Sequence, residues 1–188
     1  MAILVTGGAR SGKSRFAENY ASRVSSNGIY IATCQPYDEE MKERIHQHRI
    51  DRHTTGFEWE TMEEPFQAAE LLNKLAKRPN VSLVLLDCLT LWLTNWLLRY
   101  EEGENNELNL QAEVDRLIEA IERFPYKLII VTNEVGDGIV PVYALGRQFR
   151  DEAGRLNQRI AAICDRVFLV TAGIPVDLKA IAFRWEDL

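Results

Sequence analysis

The chain has 188 residues, 46% apolar and 27% charged, with a formal net charge of −6. That is enough for one ordinary globular core, so a single domain over residues 1–188 is expected. The acidic balance excludes a broad electrostatic grip on nucleic acid or an anionic membrane, no stretch is long enough to span a bilayer, and no basic leader precedes the first apolar run, so small partners and a cytoplasmic setting are expected.

Along the chain, short β-branched runs alternate with longer helical patterns, which predicts an α/β fold: a mostly parallel sheet with helices on both faces. Ala2-Ile3-Leu4-Val5 opens the first strand, near 2–6, and runs directly into Gly7-Gly8-Ala9-Arg10-Ser11-Gly12-Lys13-Ser14. These eight residues fit G-x-x-x-x-G-K-[ST]. Strand, glycine-rich turn and helix in that order make a phosphate cradle, because the turn aims successive backbone N–H groups at phosphate oxygens. Lys13 would meet the β- and γ-phosphates, Ser14 would ligate Mg²⁺, and the following helix would add its positive dipole end. A nucleoside triphosphate is the implied ligand.

Further strands are expected near 28–33, 81–87, 127–132 and 166–171, with a weaker one near 57–61. Helices are expected over 13–25, 38–53, 64–78, 88–99, 108–124 and 146–165. The helix after 88, rich in Trp92, Leu93, Trp96, Leu97 and Leu98, reads as core or subunit contact. Tyr100 to Glu107 is acidic with turn chemistry and reads as a solvated loop. After the last long strand, Ala172-Gly173-Ile174-Pro175 and the apolar stretch Val176 to Phe183 suggest a hairpin, and hence one antiparallel edge strand.

Two features carry further chemistry. Asp87 ends the apolar strand that begins at Val81, and an acid at the carboxyl end of a strand beside a phosphate loop is a second Mg²⁺ partner. Its other reading is an N-cap for the next helix. In Met41 to His53, helical spacing puts Arg44, His48 and Arg52 on one stripe with Arg49 beside them, while His46 points to the other side. Neighbouring guanidinium groups disfavour the imidazolium, which leaves His48 neutral and nucleophilic; a solvated basic face is the alternative. Cys34, Cys88 and Cys164 are odd in number, far apart and without a C-x-x-C pair, so buried reduced thiols are expected rather than a disulfide or a zinc site.

Over nearly its whole length the chain resembles the bifunctional adenosylcobinamide kinase / adenosylcobinamide-phosphate guanylyltransferase family. The likeness rests on I-L-V-T-G-G-A-R-S-G-K-S (3–14), Y-I-A-T (30–33), R-I-x-x-H-R-x-x-R (44–52), W-x-T-x-E-E-P (59–65), V-T-N-E-V-G-x-G-I-V-P (131–141) and R-x-F-R-D-x-x-G-x-x-N-Q (147–158). It implies a P-loop NTPase fold of RecA-like type. It also implies phosphorylation of adenosylcobinamide by ATP or GTP, then transfer of GMP from GTP to adenosylcobinamide phosphate through a covalent histidine-GMP intermediate. On the family pattern His48 is the guanylylated residue, and Arg49, Ile50, Asp51, Arg52 and Glu63 contact the guanine nucleotide, as do Ala32, Thr33 and Cys34. A homotrimer with active sites near subunit boundaries is implied as well.

Asn133 and Glu134 follow a buried strand and read equally as substrate-orienting groups or as loop caps. Two other functions fit the phosphate loop: a kinase of another small hydroxyl substrate without nucleotidyl transfer, and a non-enzymatic nucleotide switch. The chain has no Asn-Lys-x-Asp signature of the kind a guanine switch uses.

Overall fold

The computed structural model describes residues 1–35, 39, 43, 56–100 and 106–184. In chain order the elements are β1 (Ala2–Thr6), α1 (Lys13–Val24), β2 (Asn27–Ala32), β3 (Glu58–Glu63), α2 (Ala68–Leu75), β4 (Leu83–Asp87), α3 (Leu89–Tyr100), α4 (Asn106–Glu122), β5 (Lys127–Val131), α5 (Ala144–Ile163), β6 (Arg166–Thr171), β7 (Ile174–Asp177) and α6 (Leu178–Ile181). The helix expected over 38–53 lies outside the described residues, apart from positions 39 and 43.

The strands form one sheet in the order β3-β2-β4-β5-β1-β6-β7. Every neighbouring pair is parallel except β6 with β7. The central strands are apolar throughout because both faces are covered. Ile3, Val5, Leu83, Leu85, Ile129 and Val131 pack under Ala17 and Ala21 of α1. The alternate residues Leu4, Val84, Leu86, Leu128 and Ile130 pack under α2, α3, α4 and α5 on the other side. The weakly patterned segment near 57–61 is a parallel edge strand, Glu58–Glu63, whose exposed Glu58 and Glu60 blunt that edge.

Three expectations need correction. The second arm of the hairpin is shorter than Val176 to Phe183: Ala172 and Gly173 both take positive φ, Thr171 pairs with Ile174, and after Asp177 the chain turns into α6. Tyr100 belongs to α3, and Asn106 and Glu107 belong to α4, so only 101–105, outside the described residues, separates the two helices. The helix expected from 64 begins at Ala68, because the Glu64 carboxylate accepts the N–H groups of Phe66 and Gln67 in a turn that precedes it.

Candidate active site

Parallel pairing brings the segments after β1, β4 and β5 to one edge of the sheet. Backbone and side-chain bonds lock them together. Thr132 N donates to Val5 O at 2.9 Å, Glu134 N donates to Gly7 O at 3.1 Å, and Asn133 Nδ2 donates to Thr90 Oγ1 at 2.6 Å.

The loop 7–14 is shaped by its glycines. A Cβ on Gly7 would stand 2.4 Å from Val170 O and 2.6 Å from Ser11 Oγ, so no side chain fits. Gly12 takes φ 94° as it enters α1, a conformation that favours glycine. From the hairpin, Gly173 N donates to Ser11 O at 2.8 Å, so the β6–β7 turn buttresses the loop. Lys13 is buried and its Nζ donates to Gly8 O at 3.1 Å. Ser11 Oγ is buried and has no hydrogen-bond partner among the described residues. Helix α1 has no side-chain cap and no acid in its first turn, which leaves its N-terminal N–H groups to an anion. Gly8, Ala9 and Arg10 form the exposed rim, and Ser14 is half-buried.

Asp87 ends β4, paired with Ala32 on one side and Val131 on the other. Its Oδ2 accepts a hydrogen bond from the Tyr30 hydroxyl at 2.9 Å. The N-cap reading of Asp87 does not hold: Cys88 occupies that position, its carbonyl accepting the N–H of Trp92 at 3.1 Å. Ser14 and Asp87 are oxygen donors of the kind Mg²⁺ takes. Among the described residues no group of three or more His, Cys, Asp or Glu side chains could hold a metal ion by itself.

Beyond β2, Thr33 is fully buried. Its hydroxyl donates to Cys88 O and accepts from Cys88 N, both at 2.8 Å. Ala32 and Cys34 are half-buried, and Glu63, opposite Ala32 on β3, is exposed. The cysteines are free thiols; Cys88 and Cys164 are buried, whereas Cys34 is only half-buried. Burial, and next the charge of Asp87, push the Cys88 thiol up to about 12. Burial likewise pushes Cys164 up to about 12. Arg44, His46, His48, Arg49, Ile50, Asp51 and Arg52 lie outside the described residues.

Sequence reasoning missed four polar residues of this edge. Tyr30 meets Asp87; Asn95 reaches Thr33 O and Pro65 O; Thr90 accepts from Asn133; and Asn157 accepts from Thr132 Oγ1 and donates to Asn133 O. One signal was available for Asn95: a lone carboxamide between Trp92 and Trp96 on an apolar helix must find partners if it is buried.

Fold and loop define a P-loop nucleotide-binding protein. An ATPase from the type III secretion system of pathogenic bacteria shares this RecA-like architecture, with a TM-score of 0.55 at 11% identity over 98% of this chain and 59% of that one. Residues 3–178 match the family described as cobinamide kinase / cobinamide phosphate guanyltransferase. The bifunctional adenosylcobalamin biosynthesis protein CobU of Escherichia coli (strain K12) is 46% identical over 187 residues, 95% of this chain and all of that protein. The corresponding CobP of Pseudomonas aeruginosa is 44% identical over 179 residues, 95% of this chain and 98% of that protein. The chain belongs to the cobinamide kinase / cobinamide phosphate guanyltransferase family, and is thus a transferase of cobalamin biosynthesis rather than a nucleotide switch.

Proposed function

We propose that this chain phosphorylates the aminopropanol hydroxyl of adenosylcobinamide with ATP or GTP, and then transfers GMP from GTP to the resulting adenosylcobinamide phosphate. The observation that carries the first half is the loop itself: buried Lys13, the uncapped start of α1 and the close-packed Gly7 make a cradle for a triphosphate. Bound Mg²⁺ would neutralise charge on the phosphates, held by Ser14 and Asp87. Lys13 Nζ leaves Gly8 O for the β- and γ-phosphate oxygens, and Tyr30 holds the Asp87 carboxylate in one orientation. The substrate oxygen attacks the γ-phosphorus, its bond to the nucleoside diphosphate breaks, and the hydroxyl proton leaves to solvent or to a nearby base. Asn133 and Glu134 follow at the neighbouring strand end as loop-fastening groups: the Asn133 amide donates to Thr90 Oγ1 and the Glu134 carboxylate accepts the N–H of Gly136 at 2.7 Å.

For the second half, a nitrogen of His48 attacks the α-phosphorus of GTP, pyrophosphate leaves, and an oxygen of adenosylcobinamide phosphate then displaces the imidazole to give adenosylcobinamide-GDP. In this reading Arg49, Ile50, Asp51, Arg52 and Glu63, with Ala32 and Cys34, bind the guanine nucleotide. Thr33 serves this site indirectly, by fixing the chain between Ala32 and Cys34, since its hydroxyl is spent on the Cys88 peptide and its backbone N–H and C=O on Asp87 and Asn95. The homotrimer forms part of the same reading; Ile174 on the edge strand β7 and Ile181 at the end of α6, 65% and 71% exposed, offer apolar surface that association would bury.

Incubation with α-phosphate-labelled GTP tests this reading. The wild type should acquire acid-labile label, His48→Asn should acquire none while still phosphorylating adenosylcobinamide, and His46→Asn should label normally. Label on the His48 variant but not on the His46 variant would reassign the nucleophile, and normal label on both would exclude His46 and His48 as the nucleophile.

A further inference from the structure

We propose that Asn95 is a positioning residue for the guanine nucleotide: its carboxamide holds the segments after β2 and β3 in fixed register at the edge of the site. The inference rests on the reading that Ala32, Cys34 and Glu63 face that nucleotide. Asn95 lies on α3, 1% exposed, and its Nδ2 donates to Thr33 O at 2.8 Å and to Pro65 O at 2.9 Å. Thr33 carries the link onward to β4, with its N–H on Asp87 O at 3.1 Å and its hydroxyl on the Cys88 peptide. Glu64 N donates to Ala32 O at 2.9 Å, which extends the β2–β3 ladder past the strands. One turn before Asn95 and one residue after it along α3, the indoles of Trp92 and Trp96 donate to Phe66 O at 2.8 and 3.3 Å.

The donors of α3 therefore grip the segments after β2 and β3, and Thr33 passes the grip on to the end of β4. A carboxamide suits the central position because one nitrogen presents two coplanar N–H groups to two carbonyls. An aspartate there would aim carboxylate oxygens at those carbonyls and orphan both, and a buried carbonyl without a donor drives the chain to shift. Such a shift displaces Ala32, Cys34 and Glu63. The loop 7–14 is fastened independently, by Gly173 N to Ser11 O and by Glu134 N to Gly7 O, so its grip on a triphosphate is affected less.

The test compares the KM for GTP in GMP transfer with the KM for ATP in adenosylcobinamide phosphorylation, alongside the thermal midpoint, for Asn95→Asp and for Leu93→Ala. Leu93 is fully buried on the same helix and its truncation weakens the core without touching the clamp. Asn95→Asp should raise the GTP value about tenfold or more and the ATP value less than about threefold. Asn95→Ser, which keeps one donor, should fall between wild type and Asn95→Asp, and it carries the test if the aspartate variant does not fold. Leu93→Ala should lower the midpoint and leave both KM values within about threefold. Equal rises for GTP and ATP, or the same split from Leu93→Ala, would overturn the proposal. A GTP value raised by Glu63→Gln but unmoved by Asn95→Asp and Asn95→Ser would overturn the positioning role alone, and a GTP value unmoved by all three would remove the reading beneath it as well.

Discussion

The Tyr30 hydroxyl donates to Asp87 Oδ2 at 2.9 Å, from the strand next to the one that ends in Asp87. Tyr30 pairs with Leu85, two residues before Asp87 on the same face of β4, so the phenol reaches diagonally to the acid. Removing that hydroxyl frees the carboxylate to rotate. Tyr30→Phe should raise the Mg²⁺ concentration that half-saturates phosphorylation while costing only about 0.5–1.5 kcal/mol of stability. Asp87→Asn, which removes the carboxylate charge proposed to hold Mg²⁺, should raise it further or abolish turnover. Mg²⁺ titrations of the rate, with denaturant unfolding in parallel, check both; an unchanged Mg²⁺ dependence in Asp87→Asn would return Asp87 to a structural role.

Lys13 sits buried in the loop with its ammonium on the Gly8 carbonyl of that loop. Lys13→Ala should reduce kcat/KM for phosphorylation about a hundredfold or more, because the cation that stabilises the transferring group is lost. GMP transfer should weaken as well if both reactions use the loop. Near-normal phosphorylation at saturating nucleotide and Mg²⁺ would refute the assignment.

Cys88 adjoins Asp87 and is buried. With thiols pushed up to about 12, chiefly by burial, Cys88 and Cys164 hold a thiolate fraction of about one in ten thousand at pH 8. A thiolate-directed alkylating reagent at that pH should leave both unlabelled in the native chain and modify both after unfolding. Peptide mass mapping reads the outcome, and rapid native labelling of Cys88 would contradict its burial.

Arg166 on β6 and Asp177 on β7 pair at 2.8 Å across the hairpin that buttresses the phosphate loop. The Arg166 guanidinium holds the Asp177 carboxyl below its ordinary range. A carboxyl depressed by folding adds stability above its unfolded pKa of about 3.9 and loses it as pH falls through the lower folded value. Asp177→Asn should therefore melt below wild type at pH 7, and the gap should close under acid conditions below about pH 4. Thermal melts at several pH values check this; a gap that stays constant into acid would rule out the ion pair as its source.

The amino-acid sequence alone determined the parts whose physics is local. The glycines and Lys13 of the loop sit within eight consecutive residues, and the alternation of Leu83, Val84, Leu85 and Leu86 between two packed faces announces a strand covered on both sides. The placement of Asp87 at a strand end follows from the same run. The tertiary structure decided everything that depends on which strands become neighbours. β5 lies between the strand of the phosphate loop and the strand of the acid, and the edge hairpin folds its turn onto Ser11. Tyr30 and Asp87 are 57 residues apart, and Asn95 and Thr33 are 62 apart. Pairings at that separation are set by sheet order and register, which arise from the summed packing of the whole core and leave no mark in any short window of sequence.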